Sequence, residues 1–276
     1  MGILDERKID CHCHVIDPDR FPYAADTRYR PSGQEIAPVD QLLRMLRLCR
    51  VEHALIVGTH SAYGEDLSPV LDAIERGDGR FKGMAVVAND VAAQTLVRLK
   101  ASGMVGVAFN TIYESPGHYA RTDDLLRKLA DLDMYLQIQC KEDQLLELVP
   151  LIEHSTVRLL IDHCGRPRPE RGLDQPGFRA LLALGRAGRA TVKLSGFSQF
   201  SRERYPWRDA HPFVHALLGA FTADACVWGS DWPFLRATGR IDYAPLLVLF
   251  ECLVARETDR RKLLWDTPRR LFGFAT

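Results

Sequence analysis

The sequence predicts a (β/α)8 TIM barrel that forms a single domain over residues 1–276. Three observations predict this fold. Eight short β-rich runs alternate with longer amphipathic segments, and the strand ends recur at a mean spacing of roughly 31 residues. No Gly-, Ser- or Pro-rich linker divides the chain. The first strand is followed by His-Val-Ile-Asp-Pro, where a doubly wound open sheet would need a glycine-rich phosphate turn.

Each predicted strand is a short run between two longer segments of helical periodicity. In chain order the strands are IDCHCH (9–14), HALIVGT (53–59), KGMAVVA (82–88), VGVAFN (105–110), YLQIQC (135–140), RLLIDH (158–163), TVKLSG (191–196) and CVWGSD (226–231).

The predicted helices lie between these strands because the intervening segments repeat apolar residues at helical spacing. They cover residues 38–50, 66–77, 91–102, 122–133, 142–154, 176–187, 211–221 and 243–255, and a short helix near 259–272 closes the chain. The longest irregular stretches, 15–37, 164–175 and 197–210, each follow the carboxyl end of a strand. A barrel carries its active-site loops at that end.

Composition excludes several classes of protein. The chain has 36 basic and 36 acidic residues and no long block of one sign, so we expect neither a nucleic-acid nor a membrane partner. No apolar run is long enough to span a bilayer, and charges interrupt the N-terminal MGILDERKID, so we expect no signal peptide. The seven scattered cysteines argue against a disulfide framework and predict a cytoplasmic protein.

The carboxyl ends of the predicted strands carry an unusual number of polar side chains, which a barrel would bring into one ring. On strand one, alternation places His12 and His14 on one face, about 7 Å apart, with Cys11 and Cys13 on the other. A buried polar group without a partner costs roughly 1–3 kcal/mol, so the ring needs mutual hydrogen bonds or a ligand. In order it contains His12, His14, Thr59 or His60, Asn89, Asn110, Gln139, His163, Ser195 and Asp231.

Each of these residues also has a structural interpretation. His163 could be a satisfied core histidine, and Asp231 could cap the turn that follows it. Cys11 and Cys13 lack a second thiolate pair, so a zinc–thiolate site is not expected. Lys193 should point into the barrel, where a buried ammonium needs an anion, and Asp10 on strand one is the expected partner.

Five motifs are where the chain resembles a known family. They are DCHCH (10–14), DHCGRP (162–167), VKLSG (192–196), WGSDWP (228–233) and DTPRRLFGF (266–274). Together they resemble the amidohydrolase superfamily, a group with a metal-dependent hydrolase fold. More narrowly, they are similar to the branch that contains 2-pyrone-4,6-dicarboxylate lactonase and related sugar-lactone and muconolactone hydrolases.

The resemblance implies hydrolysis of a small-molecule lactone. Asp231 would act as the general base that takes a proton from the attacking water. His12, His14 and His163 would polarise the lactone carbonyl and stabilise the oxyanion.

The resemblance also bears on metal binding. Superfamily members with one zinc ion typically use the strand-one histidines, a histidine on strand five and the final aspartate. Here strand five ends Gln137-Ile138-Gln139-Cys140, so no cofactor is expected. If zinc is bound, His12, His14 and Asp231 would be its ligands. The alternative functions are a zinc-dependent decarboxylase or hydrolase of the same superfamily, and a catalytically inactive barrel that serves as a binding protein.

The substrate should be less anionic than pyrone dicarboxylate. Three arginine positions of that branch correspond here to Ala108, Glu114 and a position near Gln199, although Arg30, Arg166 or Arg202 could compensate. The predicted substrate-binding residues are Tyr29, Thr59, His60, Asn110, Tyr113, Gln139, Arg166 and Arg202. The sequence leaves the oligomeric state open, and a homo-oligomer is compatible with it.

Overall fold

The computed structural model describes residues 2–25 and 27–275, and its sheet consists of eight parallel strands in the order β1 to β8. The strands are β1 (Lys8–Cys13), β2 (Val51–Val57), β3 (Phe81–Ala85), β4 (Met104–Asn110), β5 (Tyr135–Gln139), β6 (Arg158–Ile161), β7 (Ala190–Leu194) and β8 (Cys226–Trp228). The predicted TIM barrel is confirmed. Strands β6, β7 and β8 end earlier than predicted, so His163, Ser195 and Asp231 lie just beyond the strand ends.

Helices alternate with the strands and cover the outside of the sheet. They are α1 (Val39–Leu48), α2 (His60–Tyr63), α3 (Ser68–Arg76), α4 (Ala93–Ala101), α5 (Asp123–Asp131), α6 (Gln144–Glu153), α7 (Pro176–Arg186), α8 (His211–Phe221), α9 (Tyr243–Leu253), α10 (Glu257–Arg261) and α11 (Thr267–Phe272). The short α2 is additional to the predicted helices. A π-helical turn over Lys262–Asp266 joins α10 to α11, which together form the predicted closing helix.

The amphipathic pattern that predicted the helices explains how they pack, as α5 illustrates. Its apolar face buries Leu125, Leu126 and Leu129 against the sheet. On its opposite face Arg127 lies 3.2 Å from Asp131, an exposed i,i+4 ion pair. Such a pair contributes only a few tenths of a kcal/mol, so burial of the leucines holds the helix in place.

The barrel closes through the segment that follows β8. Trp232 forms a parallel bridge with Cys13, and the backbone N–H of His14 donates to the Trp232 carbonyl over 2.8 Å. The backbone N–H of Asp231 donates to the His12 carbonyl, also over 2.8 Å. The closing hydrogen bonds therefore belong to residues of the predicted active site.

Strand β1 departs from regular alternation where the two histidines lie. Its register with β2 shifts between Asp10 and Cys13. Cys11 packs inside the barrel with Leu55, whereas Cys13 packs in the outer core. The expectation that both cysteines face away from the histidines is therefore wrong for Cys11, because an irregularity of this kind turns consecutive side chains to one side of the sheet.

Two apolar clusters make up the core. The larger lies between the sheet and the surrounding helices. The smaller fills the barrel near the amino ends of the strands, where Trp265, Phe272 and Phe274 from the C-terminal segment pack against it. Because this smaller cluster fills the amino-terminal end of the barrel, the polar side chains lie at the carboxyl-terminal end. Among the described residues, no helix has the length and apolar character needed to cross a membrane.

Candidate active site

A cavity of about 370 Å³ opens at the carboxyl ends of the strands, which is a common size for a small-molecule pocket. His12, His14 and Asp231 line it. His163 lies beside them, with its ring centroid 4.4 Å from that of His12. The structure therefore brings together the four side chains that were predicted to be catalytic.

Asp231 is at the centre of this cluster. Its Oδ1 atom lies 3.7 Å from the Nε2 atom of each of the three imidazoles, those of His12, His14 and His163. Burial raises the pKa of Asp231, but the neighbouring imidazoles, His163 first, outweigh that effect and hold the pKa below its usual range. The carboxylate is therefore ionised and available as a proton acceptor at neutral pH.

Two of the histidines are neutral at neutral pH. Burial lowers the pKa of His12 to about 3, and the adjacent Lys193 ammonium acts in the same direction. Burial also lowers the pKa of His163, although the charge of Asp231 opposes the shift. A neutral imidazole can donate one hydrogen bond, and its ring nitrogens then have distinct roles.

The backbone holds two of these residues in an uncommon conformation. His163 has a φ of 50° and Asp231 a φ of 64°, both in the left-handed region. Such residues are held by the surrounding structure at a cost of about 1–3 kcal/mol each. Gly196, with a φ of 62°, lies so close to His163 that an added Cβ would be 2.4 Å from its Nδ1. The glycine therefore leaves room for the imidazole.

Lys193 lies beneath His12, and its neighbours differ from those expected. Its Nζ is 3.0 Å from Asp162 Oδ1, 2.7 Å from Gln137 Oε1 and 3.0 Å from His12 Nδ1. The expected pairing with Asp10 is therefore wrong. The Asp10 carboxylate instead accepts hydrogen bonds from the backbone of His12 and of Ser230, which ties β1 to the segment after β8.

Asp162 and Gln137 are site-supporting residues that the sequence reasoning did not single out. Burial raises the pKa of Asp162, but the Lys193 ammonium, followed by His12, outweighs it and holds the pKa below its usual range. The Gln137 amide nitrogen donates to Asp162 Oδ2 over 2.7 Å, and this bond orients the side-chain carbonyl of Gln137 toward Lys193. Asp162 precedes His163 in the DHCGRP motif, and that adjacency was the available signal.

The other two imidazoles have partners outside the cluster. His14 Nδ1 is 2.9 Å from the Val57 carbonyl oxygen, and the Thr59 hydroxyl lies 3.4 Å from the same nitrogen. His163 Nδ1 is 3.0 Å from the Ser195 hydroxyl. In each case the Nδ1 partner leaves Nε2 free on the side of Asp231, 3.7 Å from its Oδ1.

Most of the predicted substrate-binding residues line the cavity: Thr59, His60, Asn110, Tyr113, Gln139 and Arg166. The other two lie elsewhere. Tyr29 donates to Glu35 and packs under the guanidinium of Arg236. Arg202 is exposed and pairs with Glu170 over 3.1 Å. A substrate-binding role stays a prediction for all eight residues.

The cavity also has arginines that the sequence reasoning missed. Arg28 and Arg236 line it together with Arg166. Arg28 lies over the Tyr113 ring, 4.8 Å from its centroid, and Arg166 donates to the Gln199 side chain over 3.2 Å. Both missed residues come from long loops, in which periodicity carries no information about the path of the chain.

Two groups of potential metal ligands lie in the described part of the chain. One comprises His12, His14 and Asp231, and the other His12, Asp162 and His163; within each, one ligand atom per residue lies within 4.8 Å of the others. The first group is the set that was named for zinc. The arrangement could thus hold an ion by proximity alone, or could bind a carbonyl oxygen and a water molecule.

The chain is similar throughout its length to known proteins. The amidohydrolase family model matches residues 9–274. A 4-sulfomuconolactone hydrolase of Hydrogenophaga intermedia is 31% identical over 96% of this chain and 88% of its own. An Acinetobacter baumannii protein assigned as a 2-pyrone-4,6-dicarboxylic acid hydrolase, solved with citric acid, is 26% identical with a TM-score of 0.87 and covers 97% of this chain and 99% of its own.

A third protein carries a metal ion. An amidohydrolase of Burkholderia multivorans, solved with bound zinc, is 19% identical with a TM-score of 0.73 and covers 97% of this chain and 99% of its own. At that identity the likeness shows the shared fold.

Proposed function

Because the chain belongs to the amidohydrolase family, we propose that it is a hydrolase that opens the ring of a lactone. The observation that carries this proposal is the position of the ionised Asp231, with the Nε2 atoms of three imidazoles 3.7 Å from one of its oxygens. Such a cluster holds a proton acceptor next to hydrogen-bond donors, which is the combination that ester hydrolysis needs. Relatives named as lactone hydrolases support it.

In the proposed reaction, Asp231 takes a proton from a water molecule as the water oxygen attacks the lactone carbonyl. The new bond joins the water oxygen to the carbonyl carbon, and the carbonyl oxygen takes up negative charge. The ring C–O bond then breaks, and the proton held by Asp231 goes to the leaving alkoxide. The products are a carboxylic acid and an alcohol on one open chain.

The imidazoles of His12 and His163 would stabilise the charge that develops on the carbonyl oxygen. His12 and His163 are buried and neutral, and their Nε2 atoms each lie 3.7 Å from Asp231 Oδ1. Fixed donors in a site shielded from water stabilise an oxyanion more than donors in bulk water would. His14 completes the cluster, because its Nε2 lies 3.3 Å from that of His12.

The donor set supports a reaction without a metal ion. The first group of potential ligands would need the Nε2 lone pair of His12. However, Lys193 occupies the other nitrogen of that ring as a donor, which leaves the proton on Nε2. Strand β5 (Tyr135–Gln139) contains no histidine that could serve as a further ligand. The first group therefore does not fit zinc.

The arginines of the cavity suit a substrate that carries an anionic group. Arg28, Arg166 and Arg236 line it, and Ala108 lies where the dicarboxylate-specific relatives are expected to have a further arginine. We propose a polar lactone with less negative charge than pyrone dicarboxylate. Guanidinium groups bind carboxylate or sulfonate by charge-assisted hydrogen bonds, so Arg166 would orient that group.

The test is a panel of lactones followed by a colourimetric pH assay, with and without prior chelation. We expect turnover of a polar, singly anionic lactone, unchanged by chelation. Fast hydrolysis of pyrone dicarboxylate alone would contradict the proposed substrate. Stoichiometric zinc that is required for turnover would overturn the metal-independent mechanism and favour the zinc-dependent alternative.

We further propose that the protein works in the cytoplasm on a small molecule, without a nucleic-acid or membrane partner. Free thiols at all seven cysteines, six of them buried, support a reducing compartment. A homo-oligomer stays compatible with these properties.

A further inference from the structure

We infer that Lys193 and the Val57 carbonyl fix the proton positions on two of the three site histidines, so that His12 presents an N–H to the cavity and His14 presents a lone pair. The assignment of donor and acceptor roles in catalysis rests on the proposed function, whereas the proton positions do not. Lys193 would act through His12 and is therefore a positioning residue.

The first step concerns the Lys193 ammonium, which is fully buried. It has three N–H bonds and no lone pair, so it can only donate. Its three neighbours at 2.7–3.0 Å are Gln137 Oε1, Asp162 Oδ1 and His12 Nδ1. Because His12 Nδ1 must accept, the proton of this neutral imidazole is on Nε2. The longer 3.3 Å separation between His12 Nδ1 and Asp162 Oδ1 agrees with this assignment.

The second step concerns His14, whose Nδ1 is 2.9 Å from the Val57 carbonyl oxygen. A carbonyl oxygen can only accept, so Nδ1 carries the proton and Nε2 has a lone pair when the ring is neutral. The 3.3 Å contact between the two Nε2 atoms then joins a donor on His12 to an acceptor on His14. Lys193 therefore donates to His12, His12 donates to His14, and His14 donates to the Val57 carbonyl.

The third step is the consequence for the reaction. The contact between the imidazoles is long for a hydrogen bond, so the His12 N–H is available to a stronger acceptor such as a lactone carbonyl. His14 cannot donate to that oxygen while its Nδ1 proton is held by Val57. Its lone pair lies 3.7 Å from Asp231 Oδ1, and the two acceptors together would bind the two hydrogens of the attacking water.

The experiment is nitrogen NMR of the full chain with isotope-labelled histidine at about pH 8, where an unperturbed histidine is neutral. Substitutions of His12 and of His14 assign the two sets of signals. We expect a protonated Nε2 and a bare Nδ1 on His12, and the reverse on His14. In Lys193→Met, Asp162 becomes the nearest partner of His12 Nδ1, and we expect the proton to move to that nitrogen.

The same variant is measured with the best lactone of the panel. We expect kcat to fall about 100-fold, the usual effect of losing one oxyanion donor, with KM within about threefold. Lys8→Met is the matched control. Lys8, the first residue of β1, is equally buried but donates to the Ile3 carbonyl. This variant should leave both the histidine signals and kcat unchanged.

A proton on Nδ1 of His12 in the wild-type protein would overturn the inference, even if Lys193→Met does not fold. A lowered kcat in Lys193→Met with unchanged His12 signals would show that Lys193 is only structural, and would overturn its positioning role. If the wild-type signals are as expected but no lactone is turned over, the proton positions stand and the proposed function falls.

Discussion

Asp231 is the residue on which the proposed chemistry depends, so it offers the first test. We expect Asp231→Asn to retain the fold and to lose at least about 100-fold in kcat, because an amide cannot accept the water proton. Turnover and a thermal melt together measure this. Asp143→Asn is the control, since Asp143 lies just before α6, does not line the cavity and accepts from the Gly177 backbone, and this variant should retain full activity. Near wild-type turnover in Asp231→Asn would refute the general-base role.

Arg166 is the residue best placed to bind an anionic group of the substrate. It lines the cavity, and burial lowers the pKa of its guanidinium. An arginine side chain stays protonated in proteins, so the charge is available to an anion. We expect Arg166→Gln to raise KM for an anionic lactone at least about 10-fold, since hydrogen bonds to charged groups contribute about 1.5–3 kcal/mol. Steady-state kinetics on an anionic and a neutral lactone measure the difference.

Arg202→Gln is the comparison variant for Arg166 and tests the prediction that Arg202 binds substrate, because Arg202 is exposed and pairs with Glu170 at the surface. Its KM values should equal those of the wild type. If Arg202→Gln raised KM and Arg166→Gln did not, the anionic group would bind on the outer loops rather than within the cavity.

At the scale of elements, the loop after β7 positions His163 through Gly196. We expect Gly196→Ala to lower stability by about 1–2 kcal/mol because of its positive φ, and also to lower kcat because the new Cβ would displace the imidazole. Gly188→Ala is the control, since Gly188 has nearly the same φ, 63°, and nothing within 4 Å of an added Cβ. Urea unfolding and kinetics separate the two effects. Equal kcat in both variants would contradict the positioning role of the loop.

Much of the barrel could be predicted from the sequence because hydrophobic periodicity is a local property. The periodicity also predicted that His12, His14, His163 and Asp231 lie together, since parallel strands of a barrel end on the same side. The partner of Lys193 did not follow. Its choice between Asp10 and Asp162 depends on the irregular register of β1, which no local pattern reveals.

The loops account for the other omissions. Arg28 and Arg236 reach the cavity from segments without periodicity, so only the folded chain brings them together. For the same reason Arg202, close in sequence to Gln199, lies on the surface instead.

At the scale of the whole molecule, neutral buried histidines make stability depend on pH. The pKa of His12 is lowered to about 3 in the folded state, and that of His163 is also lowered, while an unfolded histidine titrates near about 6.5. The unfolded chain therefore binds more protons below about pH 6.5. Stability is complete above that pH and falls as the pH decreases toward the folded-state values.

We expect the free energy of unfolding to decrease between about pH 7 and pH 5, by up to roughly 1.4 kcal/mol per pH unit for each such histidine. Urea unfolding at a series of pH values measures the slope. His12→Gln should reduce it, whereas His215→Gln, at an exposed position of α8, should not. A stability that rises on acidification would show that these histidines are charged in the folded protein.

The closure of the barrel has a consequence for how the protein fails on heating. The backbone N–H groups of His14 and Asp231 make two of the hydrogen bonds that join β1 to the segment after β8. The site residues can therefore separate only when the barrel itself opens at this seam. Amide hydrogen exchange at these two positions should match that of the most protected core amides, and loss of activity on heating should coincide with global unfolding.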